Sequence, residues 1–409
     1  MTRRQEFYEQ IEPRDQIDRT TIEDLELDLT KDGRPKGTLG NILAIFSTLD
    51  EWVGRFAYNA FTNEHEYNDR AFTDSDETRL AIELEGLYGL ITSGARAAEC
   101  ARLACEENRY HPIQDRLKRL VWDGTPRVDN FLPVYFRSAN TKLCRAIGRC
   151  WLISAVARVF DPGCKVDTTL ILAGKQGTLK SSALRTLAMD PEWFSDSAID
   201  VKHKDAMQGL SGVWIKEFAE LEGLRARDAQ TIKAFMSGQV EHFRPAYGRN
   251  HVRRPRQNVF VGTTNELTFL SDVTGSRRFW PVLVAADGKK IELDHIARDA
   301  EQLWAEAVEL YQAGEVWWLD DYLSEQLVTH SEEFRTVDPW EEVLGEHCKN
   351  NRYGHTTKEL LDTLEVPVER QTKSSEMRVA AIMKDLGWLR SRTRIDGDRR
   401  WRWNPPPAH

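Results

Sequence analysis

The stretch Thr168-Thr169-Leu170-Ile171-Leu172-Ala173-Gly174-Lys175-Gln176-Gly177-Thr178-Leu179-Lys180-Ser181-Ser182 decides how the rest of the chain is read. Its first half is a short apolar run of the kind that forms a buried strand. Its second half is a glycine-containing turn that opens a helical stretch, 183–188. The spacing is that of a phosphate-binding P-loop, except that Leu179 stands where a second glycine is usual. A tight loop entering a helix aims several backbone N–H groups at one point, and the helix dipole adds partial positive charge there. Gly174, Gln176, Gly177, Thr178, Leu179, Lys180, Ser181 and Ser182 are therefore the candidate cradle. Lys180 would reach the β- and γ-phosphates, and the Ser181 hydroxyl would ligate Mg²⁺. A Cβ disfavours positive φ, so Leu179 is harmless only if the position needs helical φ. The competing reading is an ordinary strand–helix turn with an exposed lysine.

The segments downstream carry matching chemistry. Val213-Trp214-Ile215-Lys216-Glu217-Phe218-Ala219-Glu220-Leu221-Glu222 reads as a strand ending in carboxylates. An acid at a strand tip beside such a loop can hold a Mg²⁺ hydration shell, and a second can polarise the attacking water. By position Glu220 and Glu222 are favoured, Glu220 as the metal-side acid, with Glu217 as the rival; a solvated acidic helix start competes. Val259-Phe260-Val261-Gly262-Thr263-Thr264-Asn265 is a further strand whose terminal Asn265 can orient water against a γ-phosphate, or merely cap a turn. In Thr274-Gly275-Ser276-Arg277-Arg278-Phe279 either Arg277 or Arg278 is suited to reach a neighbouring subunit's phosphate, since the guanidinium fork stays charged. A surface arginine pair is the alternative.

Alternation of short strands and helices over 165–285 predicts an α/β layer with a largely parallel sheet. Residues 1–35 read as a charged arm, 38–132 as mostly helical, 143–160 and 290–330 as helical. The last stretch reads as two helices, 356–364 and 376–386, followed by a hairpin around Asp396-Gly397-Asp398, the order of a winged helix. The expected division is 1–37, 38–164, 165–330 and 331–409.

The 409 residues are 41% hydrophobic, which excludes a disordered chain, and no apolar run approaches the ~18–20 residues that span a bilayer. The polar start predicts no signal peptide, and six cysteines without paired spacing predict reduced thiols, a cytoplasmic location and no structural zinc. The net charge of −9 hides two cationic stretches. One holds Arg244, Arg249, Arg253, Arg254 and Arg256 without an acid. The other, 370–402, carries ten Lys/Arg against four acids. With Lys233 and Tyr247, the arginines 244, 249, 253 and 254 form a candidate nucleic-acid grip of phosphate contacts and stacking. A cationic loop against acidic protein would look the same.

The series Gly-x-Gln-Gly-x-x-Lys-Ser, Trp-Ile-x-Glu-x-x-Glu-Leu, Ile-Lys-Ala-Phe-x-Ser, Phe-Arg-x-x-Tyr-Gly-Arg, Gly-Thr-Thr-Asn and Gly-x-Arg-Arg-Phe-Trp-Pro-Val closely resembles the virulence-associated protein E family. That family is similar to the superfamily-3 helicase ATPases of phages and mobile elements. The resemblance extends upstream through Tyr110-His111-Pro112, 120–127 and Pro162-Gly163-Cys164-Lys165. It implies an AAA+-like P-loop NTPase core with an N-terminal helical domain and a C-terminal winged-helix-like domain. It also implies ATP and Mg²⁺ at the interfaces of a ring, a homo-hexamer on single-stranded or forked DNA. Carried over, Lys180 and Ser181 would be Walker A, Glu220 and Glu222 Walker B, Asn265 sensor 1, Arg277 or Arg278 the finger, and 233–249 the pore loops. The expected function is an ATP-dependent DNA helicase of phage or mobile-element replication. The alternatives are a nucleotide-switched DNA-binding ring or loader that hydrolyses ATP without unwinding, and a degenerate P-loop scaffold. Residues 1–35 are too short for a fused primase, so primer synthesis is expected from a separate partner.

Overall fold

The computed structural model describes residues 21–199, 209–219, 234–243, 252–268, 278–335, 338–351, 353–395 and 398–405. Of the candidate residues, Glu220, Glu222, Lys233, Arg244, Tyr247, Arg249 and Arg277 lie outside these. The chain divides into two compact units, the first ending at Ser331 and the second running from Glu332 onward.

In the first unit, helices α1 (Leu39–Thr48), α2 (Asp74–Tyr88) and α3 (Gly94–Glu107) enclose a small core with Trp52, Phe46, Leu80 and Cys105. They pack beside a four-stranded sheet of β1 (Phe56–Asn59), β2 (Glu64–Tyr67), β3 (Arg70–Ala71) and β4 (Arg109–Tyr110), in the order β3-β2-β1-β4. The reading of 38–132 as mostly helical did not anticipate this sheet. Its strands are two to four residues long, too short to show a period in the sequence. Asn63, at φ +60°, turns β1 back onto β2, and asparagine tolerates that conformation. Helix α4 (Pro112–Arg119) follows, with Pro112 in its first turn.

The decisive element is a five-stranded parallel sheet: β5 (Thr169–Ala173), β6 (Phe194–Ser195), β7 (Ile215–Phe218), β10 (Val259–Thr264) and β11 (Phe279–Leu283). The order is β11-β5-β10-β7-β6, which in order of appearance is 5-1-4-3-2. Every residue of β5 and β10 is buried, as expected where helices cover both faces. Helix α5 (Lys142–Phe160) is mostly apolar and largely buried in the core. Trp151 donates from its indole to the Phe260 carbonyl at 3.1 Å, and Trp214 on β7's approach donates to Ala155 at 3.0 Å. Helix α6 (Lys180–Leu187) follows the glycine loop, and Trp304 of α7 (Leu293–Gln312) donates to the Leu187 carbonyl at 2.8 Å. Large rings thus fill the core while each indole N–H finds a partner. Helix α8 (Asp321–Glu332) runs to the unit boundary.

An antiparallel hairpin, β8 (Val240–Phe243) and β9 (Val252–Pro255), interrupts the order between β7 and β10. The sequence expectation held only a loop here. In the second unit, α9 (Pro339–Asn350), α10 (Thr357–Thr363) and α11 (Lys373–Asp385) precede the hairpin β12 (Leu389–Ile395) and β13 (Asp398–Asn404). Helix α9 is one more than the sequence pattern suggested. A single bridge between His355 and Trp403 ties the turn before α10 to β13, and Leu344, Leu360, Val379, Met383, Trp388 and Trp403 form the core.

Candidate active site

Register places the site. Ala173 pairs with Thr264, so the glycine loop after β5 and the Asn265 turn after β10 leave the sheet side by side. These are the carboxyl ends of parallel strands, where open α/β sheets bind ligands. The Gly174 N–H donates to the Thr264 carbonyl at 3.2 Å. A Cβ on Gly174 would stand 2.5 Å from the Val284 carbonyl oxygen, so glycine is required by close approach. Gly177 has φ +80°.

Leu179 is the N-cap of α6 at φ +69° and ψ +29°. The position is left-handed, not helical, so the condition under which leucine would be harmless there is not met. A Cβ in this region costs roughly 1–2 kcal/mol. Thr178 braces the loop instead of facing outward: its hydroxyl donates to the Lys175 carbonyl at 2.9 Å, and its carbonyl accepts from Ile291 N–H at 3.1 Å. Gln176 and Gly177 are exposed at the loop's crown, and Ser182 is half-buried on α6.

Lys180 does not point into solvent. Its ammonium donates to the carbonyls of Gly174 (2.7 Å) and Lys175 (3.1 Å) and to Asn265 Oδ1 (3.2 Å). Next to it the Ser181 hydroxyl donates to Glu217 Oε1 at 2.7 Å. The same oxygen accepts from Thr263 at 2.5 Å, while Glu217 Oε2 is buried without a hydrogen-bond partner among the described residues. Glu217 lies inside β7 opposite Val261, and strand alternation puts it on the face shared with Val261 and Thr263. The next residue back, Lys216, consequently lies on the other face. There its amine donates to Ser195 Oγ at 2.9 Å, and burial holds its pKa below the usual lysine range. Among the described residues the acid that meets the loop is Glu217, on the four-residue strand β7, while Glu220 and Glu222 lie outside them.

Thr263 was not singled out by the sequence reading. Its signal was the polar pair closing an otherwise apolar strand. An unpartnered, buried carboxylate oxygen beside a serine hydroxyl fits a divalent cation that completes its shell with phosphate oxygens and water. Among the described residues no cluster of three or more His, Cys, Asp or Glu forms a protein cage for a metal.

The other candidates lie elsewhere. Arg278 precedes β11 beside Thr169, at the amino end of β5, and its Nε lies 4.0 Å from Asp167. The length of β5, about 13 Å, separates it from the loop. Arg253 and Arg254 are on β9, the first exposed and the second half-buried with a 3.4 Å contact to Ser211. Arg256, counted in the cationic stretch, is buried. It pairs with Glu241 and donates to the Phe235 carbonyl at 2.6 Å, so it offers no surface charge. All six thiols are free, and burial pushes Cys150 up to about 12 and Cys105 up to about 11.

A virulence-associated protein E-like domain model matches residues 117–336, more than half of the chain. The chain belongs to the virulence-associated protein E-like family. Its match takes in the glycine loop, Glu217, Asn265 and Arg278 together. Similar solved structures are two apo forms of the NrS-1 C-terminal region. One is 13% identical and covers 89% of this chain and 98% of its own, with a TM-score of 0.49. The other is 14% identical and covers 85% and 95%, with a TM-score of 0.46. No curated protein matches the chain. No helix among the described residues is long and apolar enough to cross a membrane.

Proposed function

We propose that this family member is an ATP-dependent DNA helicase or translocase of phage or mobile-element replication, with a P-loop ATPase core and a winged-helix-like C-terminal unit. One observation carries the reading: Lys180, Asn265, Ser181 and Glu217, scattered over 85 residues of sequence, meet at the carboxyl ends of adjacent parallel strands.

The chemistry follows from these side chains. Main-chain N–H groups of the loop after Gly174, at the start of α6, favour an anion. Lys180 would exchange its carbonyl partners for β- and γ-phosphate oxygens, a trade of neutral acceptors for charged ones. Ser181 and Glu217 would hold Mg²⁺, which neutralises charge on the phosphates. Asn265, already in contact with the Lys180 amine, is placed to orient a water towards the same phosphate. Arg278 stands too far along the sheet to serve its own loop. It suits a finger supplied to a neighbouring copy, consistent with ATP at the interfaces of a hexameric ring. Arg253 and Arg254, with the chain between β8 and β9, would line the DNA path.

The test is strand displacement on forked DNA measured beside DNA-stimulated ATP hydrolysis. Displacement that requires hydrolysis is expected. Hydrolysis without displacement would replace the helicase by a nucleotide-switched loader.

A further inference from the structure

The hairpin β12–β13 concentrates positive charge on one element of the second unit. Residues 389–404 hold six arginines and two aspartates. Three other arginines of this unit, Arg402 of β13 among them, are matched with acids. Arg335 meets Glu341 at 2.8 Å and Asp385 at 3.3 Å, Arg378 meets Asp338 at 2.7 Å, and Arg402 meets Glu359 at 3.3 Å. Arg390 and Arg392 differ: both are exposed, and among the described residues neither has a carboxylate partner. They lean instead on an aromatic ring. The Arg390 guanidinium lies 5.2 Å and the Arg392 guanidinium 4.9 Å from the centre of Trp401, whose register partner is Arg392.

Trp401 is 48% exposed, whereas Trp403, two residues on along the same face, is 1% exposed in the core. A tryptophan in solvent costs hydration free energy and contributes nothing to this core. Stacking a guanidinium on a ring fixes its plane and leaves its N–H edges directed away, ready for phosphate oxygens. Two such guanidinium groups beside a half-open indole combine a backbone grip with a platform for a base. Helix α11, which would enter a duplex groove in a winged helix, carries Lys373, Lys384 and one arginine. Its Arg378 is held by Asp338 and stacked 3.9 Å from the Trp340 ring centre. The solvent-exposed part of the Trp401 ring suits an unpaired base, since bases within a duplex present only their edges.

We propose that Arg390, Arg392 and Trp401 form a single-stranded nucleic-acid site on the C-terminal hairpin, the arginines taking phosphates and Trp401 stacking a base. It rests on nucleic acid being the partner, and not on ATP hydrolysis.

The experiment measures, without nucleotide, anisotropy of a fluorescein-labelled mixed-sequence DNA single strand and of its blunt duplex with the full chain over a salt series. Trp401→Leu is expected to weaken single-strand binding about fivefold to about a hundredfold with the salt slope unchanged. Trp401→Phe, which keeps a ring, retains most of the affinity. The pair Arg390→Gln with Arg392→Gln is expected to flatten the single-strand salt slope by about 1.4, two contacts at roughly 0.7 each. Wild-type affinity in Trp401→Leu, an unaltered slope in the arginine pair, or equal losses on duplex and single strand would each overturn the site. ATP turnover without DNA and the thermal transition should match wild type in all these variants. Failure of the ATPase reading would leave this measurement intact.

Discussion

Leu179 spends its place at the head of α6 in a backbone region that glycine occupies without strain. Leu179→Gly would relieve roughly 1–2 kcal/mol of strain and add backbone entropy to the unfolded chain, costing up to about 1 kcal/mol. Urea unfolding is therefore expected to show a variant at least as stable as wild type, by up to about 2 kcal/mol; a marked loss would contradict the strained assignment. The loop was legible as a motif, because its glycines and lysine are spaced in sequence. The handedness at Leu179 was not, because it depends on how the loop meets α6. Glu217 shows a different limit. The apolar run before it suggested a strand ending ahead of the acids, and a carboxylate inside a buried strand is tolerated only through Ser181 and Thr263, which the sequence does not place beside it. Glu217→Gln keeps an oxygen acceptor for those two hydroxyls while removing the charge. It is expected to raise the Mg²⁺ concentration needed for half-maximal ATP turnover about tenfold to a hundredfold, and an unchanged Mg²⁺ dependence would remove Glu217 from the metal site.

At the scale of elements, the base of the β8–β9 hairpin is fixed by a buried ion pair. Arg256 is enclosed by Glu241, the Phe235 carbonyl and the rings of Phe235 and Phe260. Glu241→Ala leaves that guanidinium buried and unpaired, and is expected to destabilise the chain by about 3–5 kcal/mol in denaturant unfolding. A loss below about 1 kcal/mol would mean that Arg256 reaches water as a surface residue does. In sequence Arg256 is indistinguishable from Arg253 and Arg254; only strand pairing separates the inward arginine from the outward ones. The capping box at the start of α2 makes a pH prediction. The Arg70 guanidinium, with further hydrogen bonds from Thr73, holds the Asp76 carboxyl well below the usual carboxylate range despite burial. A depressed folded pKa means stability that is present above the unfolded value, about 3.9, and is lost as pH falls towards the folded one. Asp76→Asn should therefore cost stability near neutral pH, and the gap to wild type should narrow as pH drops below about 4. A gap independent of pH would show that the charge on Asp76 contributes nothing.

For the whole molecule, the parallel sheet was readable because its central strands are continuous apolar runs. The order 5-1-4-3-2 was not, since strand neighbours are set by crossovers that leave no local trace. The small amino-terminal sheet and helix α9 also escaped, the first because its strands are too short to display alternation. The sheet order puts Arg278 and Lys180 at opposite ends of β5, so in the proposed ring each pocket draws on two copies. Lys180→Ala and Arg278→Ala, each inactive alone, are expected to recover ATP turnover when mixed and reassembled. No recovery would leave the finger role to Arg277 or to neither. Most directly, the account stands on Lys180 gripping a triphosphate. The deciding measurement is steady-state ATP hydrolysis by wild type and Lys180→Ala, both shown to be folded by circular dichroism. The account predicts that turnover vanishes in the variant, and undiminished hydrolysis would contradict it.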